Sequence, residues 1–346
     1  MQDFNSSISG LKDAVVNATV GLYANVTAPS GLRPTPLKSH YTFNLRDVAK
    51  VFQGICSVEK KTIESAKDLH RLWIHECQRV FKDRLMDNND MKHFESILSK
   101  TFKDAFAIDI VRAVAPEESI IFADFQTALA NPDIRPYQEV KDLEKFTATM
   151  TEFLHEHNTI NPVASMKLVL FRAALEHVAR VCRILRQPRG NALLVGVGGS
   201  GRQSVTKLAC FISTYKLFTI EVSKTYGNTE WRDDLRRIMK EAGLGKEPVL
   251  FMMTDDQIKA ESFVEDVNSI LNDGEVPNLF PENSDEKTIV IEGIREDAAK
   301  AGSASSPPMI FKYFVDRCKE NLHVVLCLSP LGEQFRTRLR QYPSLV

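Results

Sequence analysis

Gly190-Asn-Ala-Leu-Leu-Val-Gly-Val-Gly-Gly-Ser-Gly-Arg-Gln-Ser204 is the stretch on which the reading of this chain turns. A short apolar run, Ala192–Val197, meets a cluster of glycines and then a helical pattern over Val205–Ser213. Glycines let the backbone curl so that successive N–H groups face an oxyanion, and the helix N-terminus adds about half a positive charge. Residues Gly196, Val197, Gly198, Gly199, Ser200, Gly201, Arg202, Gln203 and Ser204 are therefore expected to hold phosphate. Against the pattern GxxxxGK[ST], the register runs from Gly196 to Gly201, with Arg202 at the lysine position and Gln203 where a hydroxyl would hold Mg²⁺. Arginine keeps the charge on a larger, planar head. Gln203 has no hydroxyl, and Ser204 lies about 100° further round the helix, so Mg²⁺ is weakly provided for and binding is expected to outlast hydrolysis. The bland alternative is a glycine-rich turn with no ligand.

The same glycines satisfy GxGxxG, and Glu221 follows 20 residues after Gly201 at the end of the next apolar run. That spacing also suits a dinucleotide-binding oxidoreductase. The discriminating feature lies downstream. Val249-Leu-Phe-Met-Met-Thr-Asp255-Asp256 is an apolar run ending in two carboxylates, which would set Asp255 beside a metal and Asp256 beside an attacking water. Asp256 is one methylene shorter than the glutamate usual in that role, and the plain alternative is a solvated turn. A further run, His323–Leu328, ends at Ser329, a candidate polar sensor of the γ-phosphate. Arg336, Arg338 and Arg340 follow on an expected helix, either as fingers toward a neighbouring site or as a basic end complementing the helix dipole.

Outward from the loop, the runs Ala192–Val197, Leu217–Val222, Val249–Met253 and His323–Leu328 alternate with helical or loop segments. This order predicts a parallel α/β sheet covered on both faces. Upstream, residues 161–186 are apolar around much of their circumference and predict one substantially buried helix. Residues 115–138, with Pro116, Pro132 and Pro136, read as a connector. Helices are expected from Asn44 to Ile55 and over residues 60–85, giving a small helical domain. Residues 1–38 are weakly patterned, and the prolines at 34 and 36 suggest a boundary there.

In 346 residues, 44 basic against 45 acidic side chains leave no global field for nucleic acid or an anionic membrane. No basic n-region opens the chain and no run approaches the roughly 18 apolar residues of a span, so it reads as intracellular and soluble. The six cysteines lack zinc spacing and read as reduced core thiols, and His155 and His157, two apart, do not form a ligand pair.

Several longer motifs together carry a resemblance. They are Leu37-Lys-Ser-His-Tyr-Thr-Phe-Asn-Leu-Arg-Asp47 with Val51-Phe-Gln-Gly54, Leu72-Trp-Ile-His-Glu76, and the loop from Gly190 to Ser204. Asp256-Gln-Ile-Lys259, Glu265-Asp-Val-Asn268 with Gly274-Glu-Val-Pro-Asn-Leu-Phe280, and Arg338-Leu-Arg-Gln-Tyr-Pro-Ser-Leu345 extend it to the end of the chain. The chain resembles dynein heavy chains, from the end of their third AAA+ module through most of the fourth, and Arg-Gln-Ser after the loop resembles the axonemal class. The resemblance implies an α/β fold: a large AAA+ P-loop NTPase subdomain over 131–346, cut short at its C-terminus, preceded by a small all-α subdomain of the third module and a connector over 1–130. It implies ATP or ADP as ligand, Mg²⁺ as a possible companion, and a regulatory or structural site with little hydrolysis. Arg46 would be sensor 2 over the third module's nucleotide, and Arg338 or Arg340 the fourth module's finger toward that site. Implied partners are the rest of the heavy-chain ring, dynein intermediate and light chains, and microtubules through absent parts of the motor only. The implied setting is the cytoplasm and cytoskeleton, in the axoneme of a cilium or flagellum.

Overall fold

The computed structural model of the chain describes residues 6–115, 119–126, 135–302 and 306–345. It divides into two compact units, Met1–Glu152 and Phe153–Val346. The expected boundary at 130/131 and the connector residues Pro116 and Pro132 lie outside the described residues.

Among the described residues, the regular structure of the first unit is helical apart from one small ribbon. Helix α1 (Ser6–Ser9) and helix α2 (Lys12–Thr27) correct the reading of the first 38 residues as weakly patterned. Val15, Ala18, Thr19, Leu22 and Val26 recur at helical spacing and are all buried. Two of them are small or polar, which diluted the hydrophobic signal. Thr19 is used twice: its hydroxyl donates to the Val15 carbonyl and accepts the indole N–H of Trp73 at 2.9 Å. Nor is there a boundary at the prolines, because Leu32, Tyr41 and Phe43 share one core with α2.

Helix α3 (Leu45–Cys56) opens on a reciprocal cap, in which the Asn44 side chain accepts the Asp47 N–H and Asp47 accepts the Asn44 N–H. Helix α4 covers Ala66–Val80, shorter than the expected 60–85, because a second such cap, Ser65 with Asp68, fixes its start. Helix α5 (Asn88–Phe106) packs on α2, and strands β1 (Phe122–Ala123) and β2 (Gln138–Glu139) pair antiparallel. Helix α6 (Leu143–Ile160) runs across the division between the units.

In the second unit, helix α7 spans only Arg172–Arg186. The single helix expected over 161–186 is thereby corrected: a 3₁₀ turn at Pro162–Ala164 and irregular backbone precede it, with Val169 and Phe171 exposed. Strand β3 (Ala192–Val195) leads through helix α8 (Arg202–Ile212) to strand β4 (Lys216–Thr219). Helix α9 (Asn228–Leu244) leads to strand β5 (Val249–Thr254). Helices α10 (Glu261–Asp273), α11 (Asp285–Lys300) and α12 (Pro307–Asn321) precede strand β6 (Leu322–Leu328), and helix α13 (Glu333–Gln341) follows it.

The four strands are all parallel, in the order β3-β6-β5-β4. β5 and β6 are buried at every residue, whereas β3 and β4 are partly exposed, and successive side chains alternate between the two faces. Phe218, Val249, Phe251, Met253, Val324 and Leu326 join a core with α9 to α12. The intervening Cys327 turns the other way, its thiol 3.7 Å from the Thr206 hydroxyl on α8. His323 on that face stacks on Tyr215 and its Nδ1 bonds the Gly190 carbonyl at 2.7 Å. Five of the six cysteines are buried free thiols; Cys56 is exposed and corrects the reading of all six as core.

A candidate phosphate site at the C-terminal ends of the strands

The loop begins where β3 stops pairing. The Gly196 N–H donates to the Leu328 carbonyl at 3.2 Å, tying the loop's start to the end of β6. The chain then curls tightly, with the Ser200 N–H on the Val197 carbonyl at 3.2 Å. Gly199 and Gly201 sit at φ of 79° and 80°, left-handed backbone that costs an L side chain energy. Side chains imagined on Gly198, Gly199 or Gly201 would meet no heavy atom within 4 Å, so the mouth of the loop is open. The N–H groups of these three glycines donate to no protein acceptor among the described residues. Immediately after Gly201, α8 begins, three residues ahead of the expected Val205. Unsatisfied donors in an open loop that leads into a helix N-terminus have the chemistry of an anion site.

The acidic strand end lies in the same place. Asp255 follows β5 directly, and its Oδ2 accepts the Ser329 N–H at 2.6 Å and lies 3.9 Å from Nη1 of Arg202. The loop, the β5 end and the β6 end are thus brought together. Arg202 also donates from Nη2 to the Val197 carbonyl at 3.4 Å. The Ser329 hydroxyl accepts the Leu331 N–H at 3.3 Å. Asp256 is exposed, and no hydrogen bond or ion pair engages its carboxylate among the described residues. Gln203 is also exposed.

Gln257 and Glu261 went unassigned from the sequence. The Gln257 side chain accepts the Thr254 N–H and donates to the Ile220 carbonyl, both at 2.8 Å, which locks the ends of β5 and β4 together. Glu261, opening α10, takes Arg338 in a two-pronged contact with its shortest bond at 2.6 Å. Arg338 is therefore buried and internally paired, whereas Arg340 is exposed, its Nε donating to the Arg336 carbonyl. No spacing rule connects residues 77 positions apart. Arg46 belongs to the first unit, exposed in the opening turn of α3. His157 is buried edge-on against Phe211.

Strand order separates the two readings of the glycines. In a dinucleotide fold the acidic residue ends the strand beside the glycine-loop strand. Here β6 and β5 both stand between β3 and β4, and Glu221 falls beyond the end of β4, correcting the expected strand Leu217–Val222. Three strand spacings of roughly 4.8 Å put Glu221 far from the loop.

A glycine loop after the first strand, an acid-tipped strand two places across, and a polar-tipped strand between them define the large subdomain of an AAA+ P-loop NTPase. The comparisons carry the class to a family. Residues 166–346, more than half the chain, match the family model described as P-loop containing dynein motor region D4, and residues 15–114 match an AAA+ lid domain. Dynein axonemal heavy chain 1 of Rattus norvegicus is 43% identical over 340 residues, covering 98% of this chain and 7% of that protein. Dynein axonemal heavy chain 6 of Homo sapiens is 43% identical over 347 residues, covering all of this chain and 8% of that protein. The dynein-1-beta heavy chain of the flagellar inner arm I1 complex of Chlamydomonas reinhardtii is 42% identical over 352 residues, again 100% of this chain and 8% of its own length. The chain belongs to the dynein heavy-chain family and spans about a twelfth of the length of these curated relatives.

Proposed function

We propose that this chain forms a nucleotide-binding segment of an axonemal dynein heavy chain, with a site that holds ATP or ADP in a regulatory or structural role and hydrolyses slowly. One observation carries the reading: three glycine N–H groups in the loop that opens α8 have no protein acceptor among the described residues, and the space beside their Cα atoms is open, next to Arg202, which faces Asp255. Gly196 through Ser204 would cradle the phosphates. Ser329 would hold Asp255 through its main chain, and its hydroxyl is the γ-phosphate sensor. Slow turnover follows from Asp256, since a base must be aimed at its water and, among the described residues, no hydrogen bond or ion pair orients this short, exposed carboxylate.

Residues 1–130 would serve as the lid of the third module and its connector, with Arg46 as that module's sensor 2, and residues 131–346 as the large subdomain of the fourth. Arg340 is the better finger toward the third module's nucleotide, because Arg338 is already spent on Glu261. The partners would be the rest of the heavy-chain ring and dynein intermediate and light chains, with microtubules engaged by other parts of the motor. The axonemal and flagellar relatives locate the chain in the axonemal cytoskeleton of a cilium or flagellum.

Thermal unfolding tests the reading. ATP or ADP should raise the transition by several degrees while NADH leaves it unmoved. Protection by NADH alone, or by none of the three, would refute it. Single-turnover assays should show little hydrolysis; brisk ATPase activity abolished by Asp255→Ala would overturn the slow-turnover part alone.

A further inference from the structure

The cation that phosphate loops ordinarily recruit is poorly served by the residues of this one. Mg²⁺ asks for near-octahedral oxygen ligands at about 2.0–2.1 Å and sheds water reluctantly. The position that would offer a hydroxyl oxygen carries Gln203, which is exposed. The carboxylate that would support the metal, Asp255, already accepts the Ser329 N–H at 2.6 Å and faces the Arg202 guanidinium at 3.9 Å.

Arg202 has the opposite profile. Its side chain is 17% exposed and tucked between the loop and Asp255. Nη2 is spent on the Val197 carbonyl, but Nη1 is buried with no hydrogen-bond acceptor among the described residues. A buried charged donor without an acceptor is costly, and it lies next to three unpartnered backbone donors that ask for the same ligand. A guanidinium differs from a lysine ammonium in having five donors in one plane. It can keep one edge toward a carboxylate and turn another toward a phosphate oxygen. That is the electrostatic task a magnesium ion performs when it bridges an acidic side chain and a phosphate chain.

We propose that this site binds its nucleotide without Mg²⁺, Arg202 taking the place of the metal between Asp255 and the phosphates. The inference rests on the nucleotide-binding reading above and deepens it. It also links binding to slow turnover, because a single guanidinium charge neutralises less of the charge that develops on the phosphates than a divalent ion bridging their oxygens does.

Equilibrium binding of a fluorescent ATP analogue to the whole 346-residue chain tests it, in millimolar Mg²⁺ and again in excess EDTA. The dissociation constants should agree within about threefold. A Mg²⁺-preferring ratio of about tenfold or more would overturn the proposal and leave nucleotide binding standing. Absence of binding in both buffers would instead refute the nucleotide reading, and the metal-free mode with it. Arg202→Gln should weaken binding in EDTA by about tenfold or more, and unchanged affinity would remove Arg202 from the role. The double variant Arg202→Lys with Gln203→Thr should acquire the metal preference the natural chain lacks; a double variant still indifferent to EDTA counts against the proposal.

Discussion

Gly198 and Gly201 are three residues apart in one loop, yet they do different physical work. Gly201 has φ of 80°, so a methyl group there forces the backbone into a strained region even though nothing stands in its way. Gly198 does not have a positive φ, and a methyl group there would also meet only open space. Gly201→Ala should therefore cost about 1–2 kcal/mol of stability and lower the melting temperature by several degrees. Gly198→Ala should leave melting unchanged and still weaken ATP or ADP binding, because its methyl enters the space the phosphates need. Melting curves with and without nucleotide separate the two. Equal destabilisation by both variants would mean the loop is not an open cradle. The sequence was legible here to the level of residue type: the glycines, Arg202 and Gln203 announced an altered phosphate loop. It was silent on the Arg202–Asp255 approach, which depends on how β6 inserts between β3 and β5.

Secondary-structure elements were legible in proportion to how continuously they are buried. β5 and β6 are buried at every residue, so plain apolar runs predicted them to within one residue at each end. β3 and β4 are partly exposed edges of the sheet, and both stop two or three residues short of their apolar runs. The same reasoning explains α7, where Val169 and Phe171 extended an apolar pattern into backbone that is not helical. Contacts between elements were not legible at all, and the tie from α13 to α10 is the clearest case. The Arg338 guanidinium bonded to Glu261 holds that carboxyl below its ordinary value of 4.5. A depressed folded-state pKa contributes stability that is complete above the unfolded value and is lost as pH falls through the folded one. Glu261 is half-exposed at 56%, so the contribution should stay below about 1 kcal/mol. Wild-type urea midpoints should fall more steeply than those of Glu261→Gln on acidification from about pH 5 to 3. Parallel acid limbs would mean the pair holds α13 with no net energy. Glu261→Gln would also release Arg338, and any role for it as a finger would then appear as a gain in the assembled ring.

Across the whole molecule, the sequence signalled two bodies of different kind, helical then α/β; its division at 130/131 lies outside the described residues, and contacts divide the chain at 152/153. The two divisions mark different physical things. Proline and polar residues mark where a chain stops being regular, whereas a compact unit ends where contacts thin out, and α6 carries regular helix straight through that point. Each unit has a hydrophobic cluster of its own: Leu22, Trp73 and Phe102 anchor the first, and Trp231, Phe251 and Phe314 the second. Ligand linkage should follow the same division. Every residue assigned to the phosphate site, from Gly196 to Ser329, belongs to the second unit. A ligand at a hundred times its dissociation constant stabilises the body that binds it by about 2.7 kcal/mol. Saturating ATP should therefore slow amide hydrogen exchange in the loop, α8 and the ends of β5 and β6, while α2 to α5 exchange as before. The slowing in β5 and β6 should approach about a hundredfold where exchange requires opening of the whole second unit. Equal protection of α2 to α5 would show instead that the two units unfold as one body, and the nucleotide site would then stabilise the lid-like unit as strongly as its own.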